Sequence, residues 1–105
     1  MEKAALILRI REGQEEAYAA WAKNPPLAKL APIWERNGIH QHTVFMSGRT
    51  VVAYYECESR YDVLKAFREP EALEMLLGEL APMLELDAYT PMPLYEEMST
   101  WRREP

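Results

Sequence analysis

His42-Thr43-Val44-Phe45-Met46-Ser47-Gly48-Arg49-Thr50-Val51-Val52-Ala53-Tyr54-Tyr55 is the stretch whose reading decides the fold. Its two ends are rich in β-branched and aromatic side chains, which suit a pleated surface, and Ser47-Gly48-Arg49 supplies the backbone freedom of a short hairpin loop. Two antiparallel strands joined by a tight turn are expected. A helix start follows at once, because Ser59-Arg60-Tyr61-Asp62 has the spacing of a capping box, and a helix from about residue 60 to 67 is expected.

Toward the N-terminus, Lys3 to Ile10 is a compact apolar run with Leu6, Leu8 and Ile10 on one face and Ala5, Ile7 and Arg9 on the other. That pattern fits a first strand largely covered by the sheet. After Arg11-Glu12-Gly13, the acids Glu15 and Glu16 stand where a helix N-terminus favours negative charge, and Tyr18 and Trp21 follow at helical spacing. Asn24-Pro25-Pro26 breaks this helix, since neither proline donates a backbone hydrogen bond. Leu27, Leu30, Ala31 and Trp34 then recur at helical intervals up to the stop at Asn37-Gly38, with Pro32 predicting a kink.

Beyond the hairpin, Glu69-Pro70-Glu71 opens a long helix whose stripe of Leu73, Leu76, Leu77, Leu80, Met83 and Leu84 reads as core rather than as a cofactor box. Asp87 to Pro93 reads as a loop, and Leu94 to Trp101 as a fourth strand. The order β-α-β-β-α-β specifies an α+β, ferredoxin-like sandwich: an antiparallel sheet with helices on one face. Val51, Val52 and Tyr54 make the sheet too apolar to be wet on both sides, so a homodimer that stacks two sheets into a barrel is expected.

One domain spanning residues 1–105 is all the length accommodates, and 49% hydrophobic against 28% charged residues suits a folded chain rather than a disordered one. A formal net charge of -5, with acids grouped at 12–16, 69–79 and 96–97, opposes binding to a nucleic-acid backbone. Cys57 is the only cysteine, which removes an internal disulfide and a cysteine-based zinc site and suits a reducing, cytoplasmic setting. The apolar run after Met1-Glu2-Lys3 is too short for a signal sequence or a bilayer span, so no membrane partner is expected.

Several stretches together resemble the dimeric α+β barrel superfamily, and within it the small aromatic polyketide cyclases of the tetracenomycin and spore-pigment type. They are the first strand ending in Arg9, Gly38-Ile39, the run from Thr43 to Val52, Glu56, Leu80-Ala81-Pro82-Met83-Leu84-Glu85 and Met98-Ser99-Thr100-Trp101. The resemblance implies cofactor-independent cyclisation of a poly-β-ketone or aromatic intermediate, with a basic residue on the second strand, matched here by His42. The histidine-aspartate pair those cyclases carry after the first helix is replaced by Trp21-Ala22-Lys23-Asn24-Pro25. A more distant resemblance, to L-rhamnose mutarotases, rests on Glu16-Ala17-Tyr18, Pro32-Ile33-Trp34 and Gly38-Ile39-His40. It implies sugar-binding roles for Tyr18 and His40, but that family's next histidine is Ala22 here and its paired tryptophans are Met75-Leu76-Leu77.

Read from the residues themselves, His40 and His42 are two apart on a strand and are expected to share a face; with no third histidine, no metal site is assigned. An unperturbed imidazole, with a pKa of about 6.5, can transfer protons near neutrality, so His42 is the candidate acid or base. An inward Arg9 would need an anionic partner, either Glu56 or a ligand enolate or carboxylate, and is the candidate for enolate stabilisation. Tyr54, Trp34, Tyr18 and His40 are candidates for binding a small hydrophobic or aromatic substrate, since amphipathic rings line such pockets. No nucleophile elbow, phosphate loop or dinucleotide fingerprint is present. Three functions stand from the sequence: a cyclase-like catalyst, with cofactor-free oxygenation as a variant; a sugar mutarotase; and a non-catalytic dimeric ligand-binding module.

Overall fold

A computed structural model describes residues 1–86 and 94–103. The elements run β1 (Glu2–Arg9), α1 (Glu15–Lys23), α2 (Leu27–Arg36), β2 (Ile39–Ser47), β3 (Thr50–Cys57), α3 (Asp62–Phe67), α4 (Pro70–Met75) and β4 (Leu94–Glu96). The strands form one antiparallel sheet in the order β2-β3-β1-β4, the ferredoxin-like α+β arrangement that the element order predicts. The hairpin loop is two residues long, and Gly48 takes a φ of +58°, the left-handed conformation such loops require.

Alternation along the strands sorts side chains to two faces. On one, Ala4, Leu6 and Ile10 join Val51, Ala53, Tyr55 and Cys57 under the helices, where Ile33 of α2, Val63 and Ala66 of α3 and Ala72 of α4 close the core. On the other, Phe45, Val52 and Ile7 stand in one cross-strand row, and Thr43, Tyr54, Ala5 and Tyr95 in the next. This second face has no layer over it in the single chain: Phe45, Ile7 and Tyr95 are 58%, 46% and 49% exposed.

Pro32 sits inside α2, which runs on to Arg36; its ring lies on the exposed side, where water can satisfy the carbonyl left unpaired. Two expectations change. The long helix is not continuous: α4 ends at Met75 and passes into a π-helical turn, Leu76–Leu80, with the Ala81 N–H donating to the Leu76 carbonyl at 2.8 Å. Its expected stripe divides accordingly: Leu84 is buried while Leu73 and Leu77 are exposed, and Ala72 and Met75, which lie outside the stripe, are buried instead. The fourth strand is three residues rather than eight, with Met98 and Trp101 beyond it in solvent. The loop expected at 87–93 lies outside the described residues. Among those described, no helix is long and apolar enough to cross a membrane.

Candidate functional site

Between the sheet and the helices lies a cavity of about 80 Å3. Its walls come from every layer: Tyr18 and Trp21 from α1, Ile33 and Trp34 from α2, His42 and Val44 from β2, Ala53 and Tyr55 from β3. Met75, Leu76, Leu80 and Leu84 complete the helix side. No Asp, Glu, Lys or Arg lines it, so its polarity is confined to an imidazole, two phenols and two indoles.

His42 sits directly across the β2–β3 ladder from Tyr55, their ring centroids 4.7 Å apart, and its other neighbour is Trp34 at 4.6 Å. Burial lowers the His42 pKa to about 4, because water is not there to solvate an imidazolium. The same desolvation raises the Tyr18 and Tyr55 hydroxyls above the ordinary phenol value, so both stay protonated. At neutral pH the cavity therefore carries no charge of its own.

The six residues singled out from sequence separate. His42, Trp34 and Tyr18 line the cavity together. Arg9, whose inward placement was the condition for enolate stabilisation, shares the open face with Ile7 and pairs with Glu85 at 3.3 Å, its side chain 61% exposed. Tyr54 is on that same face, its hydroxyl donating to Glu56 at 3.0 Å. His40 does not share a face with His42. The register steps from Ile39↔Cys57 to Gln41↔Glu56, leaving His40 as the extra residue of a β-bulge, and its imidazole lies out by Glu58 at 3.5 Å.

Two aromatic rings of the cavity, Tyr55 and Trp21, count among the chain's many amphipathic rings in the sequence but not among its assigned site residues. Tyr55 has the strand phase of Val51 and Ala53, so alternation was the signal that would have chosen it over Tyr54. Trp21 lies one helical turn beyond Tyr18 on the same face of α1, the two rings stacked with centroids 6.3 Å apart. Among the described residues no three His, Cys, Asp or Glu side chains are grouped to hold a metal ion.

No family model matches the chain, and no curated protein matches its sequence. Solved structures do match. An L-rhamnose mutarotase from Formosa agariphila is similar with a TM-score of 0.72 at 14% identity, over 99% of this chain and 100% of that one. HapK from Hahella chejuensis gives 0.68 at 13%, over the whole of both chains. Tetracenomycin F2 cyclase from Streptomyces glaucescens, a type-II polyketide cyclase, gives 0.67 at 16%, over 99% of this chain and 100% of that one. The likeness bears out the ferredoxin-like α+β fold of this chain. At such identities it leaves the reaction to be argued from the cavity.

Proposed function

We propose that this chain is a cofactor-independent, cyclase-like catalyst that folds a small poly-β-ketone or related aromatic intermediate into its apolar cavity, working in the cytoplasm as a homodimer. The observation that carries the reading is His42, neutral and clamped between Trp34 and Tyr55 in a cavity without charge. A base with a pKa of about 4 has little driving force for ordinary proton abstraction, so it suits only an acidic C–H such as the methylene between two ketones. In the proposed step, unprotonated His42 takes that proton, the enolate carbon attacks the carbonyl carbon five atoms along the chain to close a six-membered ring, the His42 imidazolium returns the proton to the new alkoxide, and that hydroxyl leaves with an adjacent hydrogen as water. Confinement contributes the rest, since holding the reacting carbons near each other replaces an entropic cost the free chain must meet. The cavity as it stands is smaller than a six-membered ring needs, so ring closure in it requires the helix-side wall to give, and a longer substrate leaves its remainder at the mouth.

Sugar mutarotation fits this cavity less well. Ring opening needs an acid at the ring oxygen as well as a base at the anomeric hydroxyl, and an imidazole neutral down to pH 4 is not an acid at neutrality. A pyranose would also bury several hydroxyls against apolar walls, each at a cost of about 1–3 kcal/mol if unpartnered. The binding-module reading keeps the cavity and drops the proton transfer. The homodimer is supported by the open apolar face of the sheet, rowed through Phe45, Val52 and Ile7, and by the barrel fold of the neighbours.

The deciding experiment incubates purified protein with a linear 1,3,5,7-tetraketone and follows the aromatic product against the uncatalysed background. Wild type should accelerate cyclisation, and His42→Ala should lose about 10²-fold or more of that acceleration. An unchanged rate in His42→Ala removes the proton-transfer role, and no acceleration by wild type leaves the binding module.

A further inference from the structure

Among the described residues of the cavity wall, Trp21 is the one whose polar atom is both fully buried and without a partner. Its indole Nε1 is closed off even from a water-sized neighbour and meets no acceptor among the described residues, so a ligand oxygen reaches it only where the packing over it yields. An indole nitrogen is a donor only, so unlike the Tyr18 and Tyr55 hydroxyls it cannot be satisfied by turning to accept. Buried donors in native proteins are rarely orphaned, and leaving one unmade forfeits a hydrogen bond for which water was the alternative. A resident water is a poor remedy, since a buried water needs two to four polar partners and these walls are almost wholly apolar.

We infer that the Trp21 indole N–H is the group that selects a carbonyl oxygen on the ligand of this cavity. The inference rests on the cavity being a ligand site and adds to it the class of molecule: uncharged, about one ring across, and carrying an oxygen that accepts. Charge is disfavoured because no Lys, Arg, Asp or Glu faces the space. A ring is favoured because the walls are aromatic, and its stacked neighbour Tyr18 fixes the plane of Trp21. In the proposed cyclisation this donor would hold a ketone that becomes an enolate, where a fixed hydrogen bond strengthens as charge develops.

Cyclopentanone and methylenecyclopentane are nearly the same shape and differ in whether the exocyclic atom accepts a hydrogen bond. Titrating each into wild type and Trp21→Phe by NMR, with the indole N–H peaks of the three tryptophans resolved, tests the inference. Cyclopentanone should move the Trp21 indole peak downfield and bind wild type about fivefold tighter than Trp21→Phe, the value of one hydrogen bond. Methylenecyclopentane should bind both alike and leave that peak near its free position. If the ketone binds with the Trp21 peak unmoved and no preference for wild type, the inference fails while the cavity remains a ligand site. If neither compound binds, the ligand site itself is wrong. The peak shift is read in wild type, so it decides even if Trp21→Phe folds poorly.

Discussion

His42 and Tyr55 face each other across the central hairpin, centroids 4.7 Å apart, beneath the helix layer. The pairing has a consequence for stability that is separate from any reaction. The folded pKa of His42, about 4, lies below the unfolded value of about 6.5, so in the interval between them the unfolded chain binds the extra proton. The contribution is present in full above pH 6.5 and is lost as pH falls toward 4, by up to about 3 kcal/mol. Urea unfolding at pH 7 and pH 4.5 should therefore show a loss in wild type that is much smaller in His42→Phe. An imidazole C2 proton titrating near 6.5 in the folded protein would contradict this.

Gly13 and Gly38 both adopt positive φ, at +83° and +81°, yet only one is also crowded. A Cβ at Gly13 meets nothing within 4 Å, whereas one at Gly38 falls 2.8 Å from Oδ2 of buried Asp62 and 3.1 Å from Oε2 of Glu58. Asp62 cannot retreat freely, because that same Oδ2 accepts from the Ser59 N–H at 2.8 Å. Gly13→Ala should cost about 1 kcal/mol of backbone strain, and Gly38→Ala about 2 kcal/mol or more. Thermal unfolding of the two variants side by side checks the order; equal losses would mean that the carboxylates yield at no cost.

These two relationships show how far the residues alone could be read. The hairpin, the helix breaks at Pro25-Pro26 and Asn37-Gly38, and the β-α-β-β-α-β order depend on local chemistry, and local chemistry is written in sequence. The assignment of faces was less legible. In Tyr54-Tyr55 both rings suit a strand, and the choice between them rests on phase alone, Tyr55 falling in step with the buried Val51 and Ala53. At His40 a single extra residue resets the alternation, and nothing in Ile39-His40-Gln41 announces a bulge. Alternation puts Arg9 in phase with Ile7, but the sequence alone does not say which face of β1 turns inward; in the fold that phase lies on the open face, away from the helices.

On that face the Phe45–Val52–Ile7 row and the neighbouring Thr43–Tyr54–Ala5–Tyr95 row lie between the Lys3–Glu56–Gln41 row at one end and the Arg9–Thr50–Ser47 row at the other. Apolar rows between polar margins fit an interface between two copies. Phe45→Glu should fold, since Phe45 is 58% exposed in the single chain, but it would place a carboxylate against its own symmetry mate. Sedimentation should give a dimer for wild type at micromolar concentration and a single subunit for the variant. A wild type that sediments as one subunit removes the interface.

The size of the cavity limits what it admits, and Leu84 sets part of that limit. At about 80 Å3 the space is roughly half the ~150 Å3 of an engineered apolar cavity that accepts benzene. Leu84 is 1% exposed, lines the cavity, and belongs to the cluster of Ile10, Tyr18 and Val51 that holds one side of it. Leu84→Ala should cost about 2–5 kcal/mol, the lost transfer energy plus the added void. It should also open enough apolar space for a six-membered ring, so benzene should raise the melting temperature of Leu84→Ala by several degrees and that of wild type by less, since a ligand that binds only the folded state stabilises it in proportion to occupancy. The opposite order, with benzene stabilising wild type more, would mean that the mouth already opens to admit a ring without help from the Leu84 position.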